Sequence, residues 1–455
     1  MRHAKIVMTN GWSDDNKGDA AIVHGLIELI RKRDPGAEIT LLSSFSHRDP
    51  SFSRHYRLTS QRYPGIRVLG ALLPASSWGG RIGRRLRRVA FLVRGLWLLL
   101  VAPHRAKLGL GWSLSSEERE TLGALQEADL IIAKGGHLYF SDGSLLGLLG
   151  LFINLYPLLI GQRLGRTCLI YGQSIGPVKG RVHGWLLARA LKRCAKVVVR
   201  EQASFELVRH LLPTTMRRHV EVSWDTAFAI QPEPIPAEIE RMLPDRFVAV
   251  TLRQWHFPYA KDDRVAKVTY QKYLKSMAEM INYCQRVERL RAVIVPQVVG
   301  PTKMEDDYRA WDELAQHCES DLVEIRADLT PGQLASIYQR AEALVGTRFH
   351  SVILAATVHT PAIAISYHGH KADGIMQMLG MKDFVADIGC LEADRLVGML
   401  QKLLANRDRL RAQLSARQSE ILAELNGHFD GLWFAFFGND GAHRDVRPGN
   451  PILAH

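Results

Sequence analysis

A run of β-forming apolar residues, Ala343-Leu344-Val345, stops at Gly346 and crosses the short polar turn Thr347-Arg348-Phe349-His350. Apolar sequence of helical character resumes at Val352. Strand, tight turn and helix start form the repeating unit of an open parallel sheet, and the same pattern recurs along the chain. In the first half, strand runs fall at 4–8, 38–42, 129–133, 167–171 and 196–199, with helical runs at 20–33, 116–127, 144–161 and 184–194. After Gln231-Pro232-Glu233-Pro234-Ile235-Pro236 a second series begins, with strands at 247–252, 292–295, 322–325, 343–345 and 362–365. Prolines at that density punctuate rather than build structure. The expected fold class is α/β, as two Rossmann-like domains facing a cleft, since 455 residues exceed one ordinary core. The expected bounds are 1–230 for the first domain, 231–245 for the linker, 246–400 for the second domain and 401–455 for terminal helices and tail.

Charge is unevenly spread. The formal net charge is +13, and the window Gly79–Lys107 holds eight Arg or Lys with no Asp or Glu. It lies in an irregular, basic and aromatic insertion at about 46–118. Arg81, Arg84, Arg85, Arg87 and Arg88 lead into the mostly apolar stretch Val89–Ala102, too short for a comfortable bilayer span. A basic flank beside Trp97 and leucines suits a helix lying on an anionic membrane surface; a buried helix with a solvated basic edge fits the same residues. No aromatic-basic interleaving accompanies the charge, so nucleic acid is not expected as a partner. The five cysteines are scattered without CxxC spacing, and Met1–Asn10 runs directly into a strand. Both features point to the cytoplasm, here peripheral at the inner membrane face.

Ligands of open parallel sheets bind beyond the carboxyl ends of the strands. Arg348 and His350, two apart on one such turn, offer an anion fork beside a titratable proton carrier. Arg253 follows the first strand of the second half and suits a second anion contact. Arg200 holds the matching place in the first half, where it can bind an anion or pair with Glu201. The turn His368-Gly369-His370-Lys371 is a second basic edge, either phosphate-binding or solvated; no carboxylate or cysteine completes a ligand set there, so no metal site is expected. Asp19 opens a helix, either as a helix-start charge or as an active-site carboxylate. Gln173 and Gln297, each on a strand-end turn, are neutral hydrogen-bonders. The loop after the first strand lacks GxGxxG, which argues against a dinucleotide.

Asn16-Lys17-Gly18-Asp19, Tyr171-Gly172-Gln173-Ser174-Ile175-Gly176-Pro177, Arg200-Glu201 with Ser204, Asp225, Arg253, Pro296-Gln297 and Gly346-Thr347-Arg348-Phe349-His350 occur in that order. Together they resemble the polysaccharide pyruvyl transferase family, over roughly residues 4–45 and 120–400. The resemblance implies a fold like that of GT-B glycosyltransferases and phosphoenolpyruvate as co-substrate, with no further cofactor. It also implies a pair of sugar hydroxyls on a polymeric or lipid-linked glycan as acceptor, a pyruvate ketal as product and phosphate released. Arg348 and Arg253 are then donor anion ligands, and His350 the general acid/base. The first half takes the acceptor. There His137 stands where the family turn is usually bare glycine, and is a second acid/base or an acceptor contact. Asp19 and Asp142 orient or deprotonate acceptor hydroxyls, while Gln173 and Gln297 meet sugar or phosphate oxygens. The alternatives are a nucleotide-sugar glycosyltransferase of the same fold and a non-catalytic glycan-binding subunit.

Overall fold

The strand runs assemble into two separate sheets in which every strand pairing is parallel. They are seen in a computed structural model that describes residues 2–74, 81–101, 114–257, 262–302, 305–367 and 371–438. The first sheet is built from β1 (Lys5–Gly11), β2 (Glu38–Ser43), β3 (Arg67–Leu69), β4 (Leu130–Ala133), β5 (Gly136–Ser141), β6 (Thr167–Val178), β7 (Lys196–Val199) and β8 (Val220–Val222). Its order is β3-β2-β1-β4-β6-β7-β8, with β5 paired to β6. The second contains β9 (Phe247–Thr251), β10 (Arg291–Ile294), β11 (Val323–Glu324), β12 (Ala343–Gly346), β13 (Ala362–Ser366) and β14 (Val385–Asp387), in the order β11-β10-β9-β12-β13-β14. Both are doubly wound, and each reverses direction beside its first strand: between β1 and β4, and between β9 and β12. Ligands of such sheets lie at that switch point.

Strands flanked by helices on both faces must be apolar throughout. β4, β9 and β12 are buried at every residue. Two segments differ from the sequence reading. Gly136–Ser141, expected as a turn, is the strand β5: Tyr139 is fully buried in the core, so its side is decided by packing rather than by alternation. The 46–118 insertion is not wholly irregular, since β3 extends the first sheet beside β2.

Packing contacts divide the chain into one unit from the described residues of Met1–Asp14, Ile22–Thr226 and Glu424–His455. The other comprises Asp15–Ala21 and Ala227–Ala423. The division departs from the expected bounds at 15–21 and beyond 424. Asp15–Ala21 joins the second unit through its backbone: the Val299 amide donates to the Asp15 carbonyl (2.9 Å), and the Lys17 amide donates to the Gln297 carbonyl (2.8 Å).

Helix α1 spans Lys17–Arg31, and α2 and α3 are the short turns Phe52–His55 and Arg57–Arg62. The basic stretch forms α4 (Arg81–Val101), followed by α5 (Ser116–Glu127), α6 (Leu145–Arg163), α7 (Arg181–Leu191) and α8 (Gln202–Leu211). Leu98 of α4 is buried in the first core, and Phe91, Leu92, Trp97 and Leu99 pack against it. One face of α4 is therefore structural, and Trp97 belongs to that face. The apolar α6 is likewise a core helix along its middle and end, where Leu151, Leu155, Tyr156, Leu158 and Ile160 are buried.

Candidate active site of the second unit

The turn after β12 is fixed before it can bind anything. The Thr347 amide donates to the Thr251 carbonyl at the end of β9 (3.0 Å). Thr251 Oγ1 and Ser351 Oγ lie 2.9 Å apart, and the Tyr273 hydroxyl meets Thr347 Oγ1 at 2.9 Å. Arg348 is thereby held at the switch point, where its Nε (2.9 Å) and Nη2 (2.5 Å) both donate to Asp307 Oδ1. Asp307 is fully buried, and its Oδ2 accepts the amides of Val298 (2.8 Å) and Gln297 (3.2 Å). Burial raises the Asp307 carboxyl above its ordinary range, against the pull of Arg348 and the two amides. Arg348 is thus an anchored cation, not a mobile side chain.

Arg253, just past β9, reaches the same place by a different route. Its guanidinium carbon lies 4.2 Å from the ring centre of Tyr367 and 4.7 Å from that of Trp255. Aromatic faces hold a guanidinium by cation–π attraction while leaving its hydrogen-bonding edge available. Burial depresses the Arg253 pKa first, and the positive charge of Arg348 adds to this. Two cations within electrostatic reach, one of them in no contact ion pair among the described residues, make a site suited to an anion.

His350 follows in the first turn of α13 (Phe349–Thr357), half-buried. Its ring lies against the start of α1. A methyl group at Gly18 would come within 2.4 Å of its Nδ1, so only glycine fits there. One residue on, Asp19 is half-buried, and its amide donates to Asn16 Oδ1 (3.3 Å). Lys17, wholly buried, pairs with Asp328 (2.5 Å). Glu305 completes the surround. Burial raises its pKa, Arg348 and Arg253 pull it down, and the charge of Asp19 pushes it up again. The second unit therefore gathers Arg348, Arg253 and His350 at one sheet edge, together with Asp19, which its chain position had assigned to the first half.

The remaining expected residues fare differently. Gln297 is buried, its side-chain amide donating to the Tyr338 hydroxyl (2.5 Å), so it supports the edge rather than facing a ligand. His368 and His370 lie outside the described residues, and of Lys371 only the backbone is described, opening α14 (Lys371–Met378). In the first unit, Arg200 is a structural ion-pair partner and not an anion ligand. It is buried against Asp225 and donates from Nε to Ser174 Oγ (2.7 Å). Gln173, fully buried, donates to the Lys134 carbonyl. His137 donates from Nε2 to the Gly176 carbonyl (2.6 Å) and stacks on Phe140. That bond fixes its ring as a clasp between β5 and β6. Asp142 is exposed and accepts from the amide (2.8 Å) and hydroxyl (2.7 Å) of Ser144, the residue that caps α6.

Residues 16–369 match the polysaccharide pyruvyl transferase family, across both units and the whole of this site. The chain belongs to that family. It is 24% identical over 436 residues to the amylovoran biosynthesis protein AmsJ of Erwinia amylovora, covering 92% of this chain and 97% of that one. Among solved structures, Anabaena HepE in complex with UDP-glucose aligns with a TM-score of 0.53 and 14% identity, over 95% of this chain and all of that one. The sucrose-phosphate synthase of Thermosynechococcus elongatus aligns with a TM-score of 0.53 and 12% identity, over 96% of this chain and all of that one. At such identities the likeness shows the fold alone, the GT-B type. Pyruvyl transfer in polysaccharide biosynthesis is the function class that family membership carries.

Three participants escaped sequence reading. Asp307 looked like part of a helix start, where paired aspartates are ordinary caps. Glu305 is exposed to no pattern at all, since only its two arginine neighbours mark it. Gly18 carried a signal: a glycine in the first turn of a helix costs stability unless something must approach closely.

Proposed function

We propose that the chain transfers the pyruvyl group of phosphoenolpyruvate to two hydroxyls of one sugar, on a polymeric or lipid-linked glycan at the cytoplasmic side of the membrane. The observation that carries this reading is the pairing of Arg348 and Arg253 around the switch point of the second sheet, with His350 on the same turn. Phosphoenolpyruvate brings a carboxylate and a phosphate on adjacent atoms, which two cations held apart by fixed supports would receive together.

In the first step a sugar hydroxyl oxygen bonds to C2 of the donor while C3 takes a proton and becomes a methyl group. In the second, the other hydroxyl bonds to C2 and the bond from C2 to the phosphate oxygen breaks. Two hydroxyl protons are given up; one ends on C3 and the other on the phosphate or solvent. His350 is the proton carrier, because an imidazole accepts and releases protons near neutral pH. Asp19 lies on the same edge and suits the deprotonation of a hydroxyl. Arg253 and Arg348 hold the donor and stabilise phosphate as it leaves. No other cofactor is needed for this balance.

Calorimetric titration tests the donor. Saturable phosphoenolpyruvate binding that is not displaced by UDP-sugars supports the reading. Tight UDP-sugar binding that phosphoenolpyruvate does not displace would replace it with nucleotide-sugar glycosyl transfer. His350→Ala should abolish ketal formation, observed as loss of phosphate release in the presence of acceptor, while leaving donor binding largely intact.

A further inference from the structure

The first unit carries an exposed apolar corner that its own fold does not use. Leu145 and Leu146, in the first turn of α6, are 71% and 76% exposed, although the rest of that helix is drawn into the core. Val182 and Trp185, in the first turns of α7, are 59% and 61% exposed. The two helix starts are tied together. Ser141 Oγ, at the end of β5, meets His183 Nδ1 at 2.6 Å, and the Lys179 amide donates to the Ser141 carbonyl (2.9 Å). Phe140, exposed at the end of β5, continues the same surface. Solvent-facing leucines singly are ordinary, but a contiguous set that includes a tryptophan marks an interaction surface.

The charge around this corner has one sign. The stretch Lys179–Arg193 holds Lys179, Arg181, Arg189, Lys192 and Arg193, all exposed, and no acidic residue. The nearby Asp142 is engaged by the α6 cap. The Tyr156 hydroxyl donates to the Gly95 carbonyl (3.0 Å) and Arg163 Nε to the Leu99 carbonyl (2.9 Å), so α4 and α6 run side by side in the same direction. Further along α4, Val93, Leu96 and Leu100 are exposed on the side away from the core-packed Leu98.

From this geometry we infer that the first turns of α6 and α7, with the basic stretch Lys179–Arg193, form a docking face for an anionic lipid bilayer. Leucines and an indole enter the headgroup boundary while arginines and lysines meet lipid phosphates. The face lies at the carboxyl end of the first sheet, so a glycan carried on a membrane lipid would be presented to that edge. The inference differs from a membrane-lying α4: the inner face of that helix is core, and the inserting side chains belong chiefly to α6 and α7. It rests on charge and exposure, and it stands or falls independently of the reaction.

Co-sedimentation of the full chain with phosphatidylcholine vesicles, with and without phosphatidylglycerol, tests it. Binding is expected with the anionic vesicles alone and should fall as salt is raised. The double substitution Leu145→Asp/Leu146→Asp should weaken binding at least about tenfold, two leucines being removed from the interface. Arg181→Glu with Arg189→Glu should do the same by charge alone, and unchanged thermal melting and donor titration show that the variants are folded. Wild-type protein that ignores anionic vesicles overturns the inference, as do variants that bind like wild type. A wild-type dimer that the leucine substitutions convert to monomer overturns it too, because a second copy then covers the corner.

Discussion

The two units share a strand order and differ in what they do with the cations at its carboxyl edge. In the first, Arg200 is consumed by Asp225 and Ser174, and His137 by a backbone carbonyl. In the second, Arg348 is anchored along one edge only, and Arg253 is held by aromatic faces instead of a carboxylate. A basic residue after a parallel strand can therefore be mortar or site. What decides is whether the donors are exhausted inside the fold. The first unit spends its polar groups on rigidity and offers an apolar rim; the second keeps charge in reserve.

The comparison can be broken most forcefully at the two buried ion pairs. Arg200→Ala and Arg348→Ala each leave a buried carboxylate without its cation and should both cost about 3–5 kcal/mol in denaturant unfolding. Uncharged replacement of both partners separates structure from function. Arg200→Met/Asp225→Leu should recover stability and keep turnover, whereas Arg348→Met/Asp307→Asn, whose amide oxygen can still accept the Val298 and Gln297 amides, should recover stability and remain inactive. Equal turnover in the two double variants would erase the distinction drawn between the units.

His350 and its glycine neighbour sharpen the same point on rate. His350→Ala should lower turnover by about 10²–10⁴ if it moves protons. Gly18→Ala should lower turnover too, by driving a methyl group into the imidazole, and should also cost stability, since the displacement of His350 opposes the roughly 1 kcal/mol by which alanine favours a helix. His137→Ala, the first-unit counterpart, should alter melting but leave turnover within a few-fold of wild type.

The smallest effect concerns pH and the last helix, α16 (Arg407–Phe437), whose His428 donates from Nε2 to Glu221 of β8 (2.9 Å). That hydrogen bond, outweighing the opposing effect of burial, and then Lys196 hold Glu221 down to about 2. A depressed carboxylate contributes stability above its ordinary pKa and loses it as pH falls through the folded value. Glu221→Gln should therefore melt lower than wild type at pH 7, and the gap should close as pH falls towards 2.

Much of the fold was legible because parallel strands bury both faces and announce themselves as short apolar runs stopped by polar turns. The Arg348–His350 turn was legible for the same reason. Arg200 was open to either role, since nothing in local sequence tells that Asp225, one strand further on, will exhaust it. Asp307 and Glu305 were missed because burial and partnership arise from chain crossings between distant segments. Asp15–Ala21 was placed with its neighbours in sequence, yet its backbone bonds reach Gln297 and Val299. The exposed leucines of α6 sat inside a uniformly apolar helix, where only packing separates the end that is covered from the end that is not.

On the reading proposed above, the second unit holds the donor anion. The most direct test is calorimetric titration of phosphoenolpyruvate into wild type and Arg253→Ala. This substitution is chosen because the buried Asp307 keeps its ion-pair partner Arg348, so melting should fall far less than in Arg348→Ala. Saturable binding to wild type, weakened at least about tenfold in Arg253→Ala, is the predicted result. Phosphoenolpyruvate binding that is indifferent to Arg253 would contradict the account.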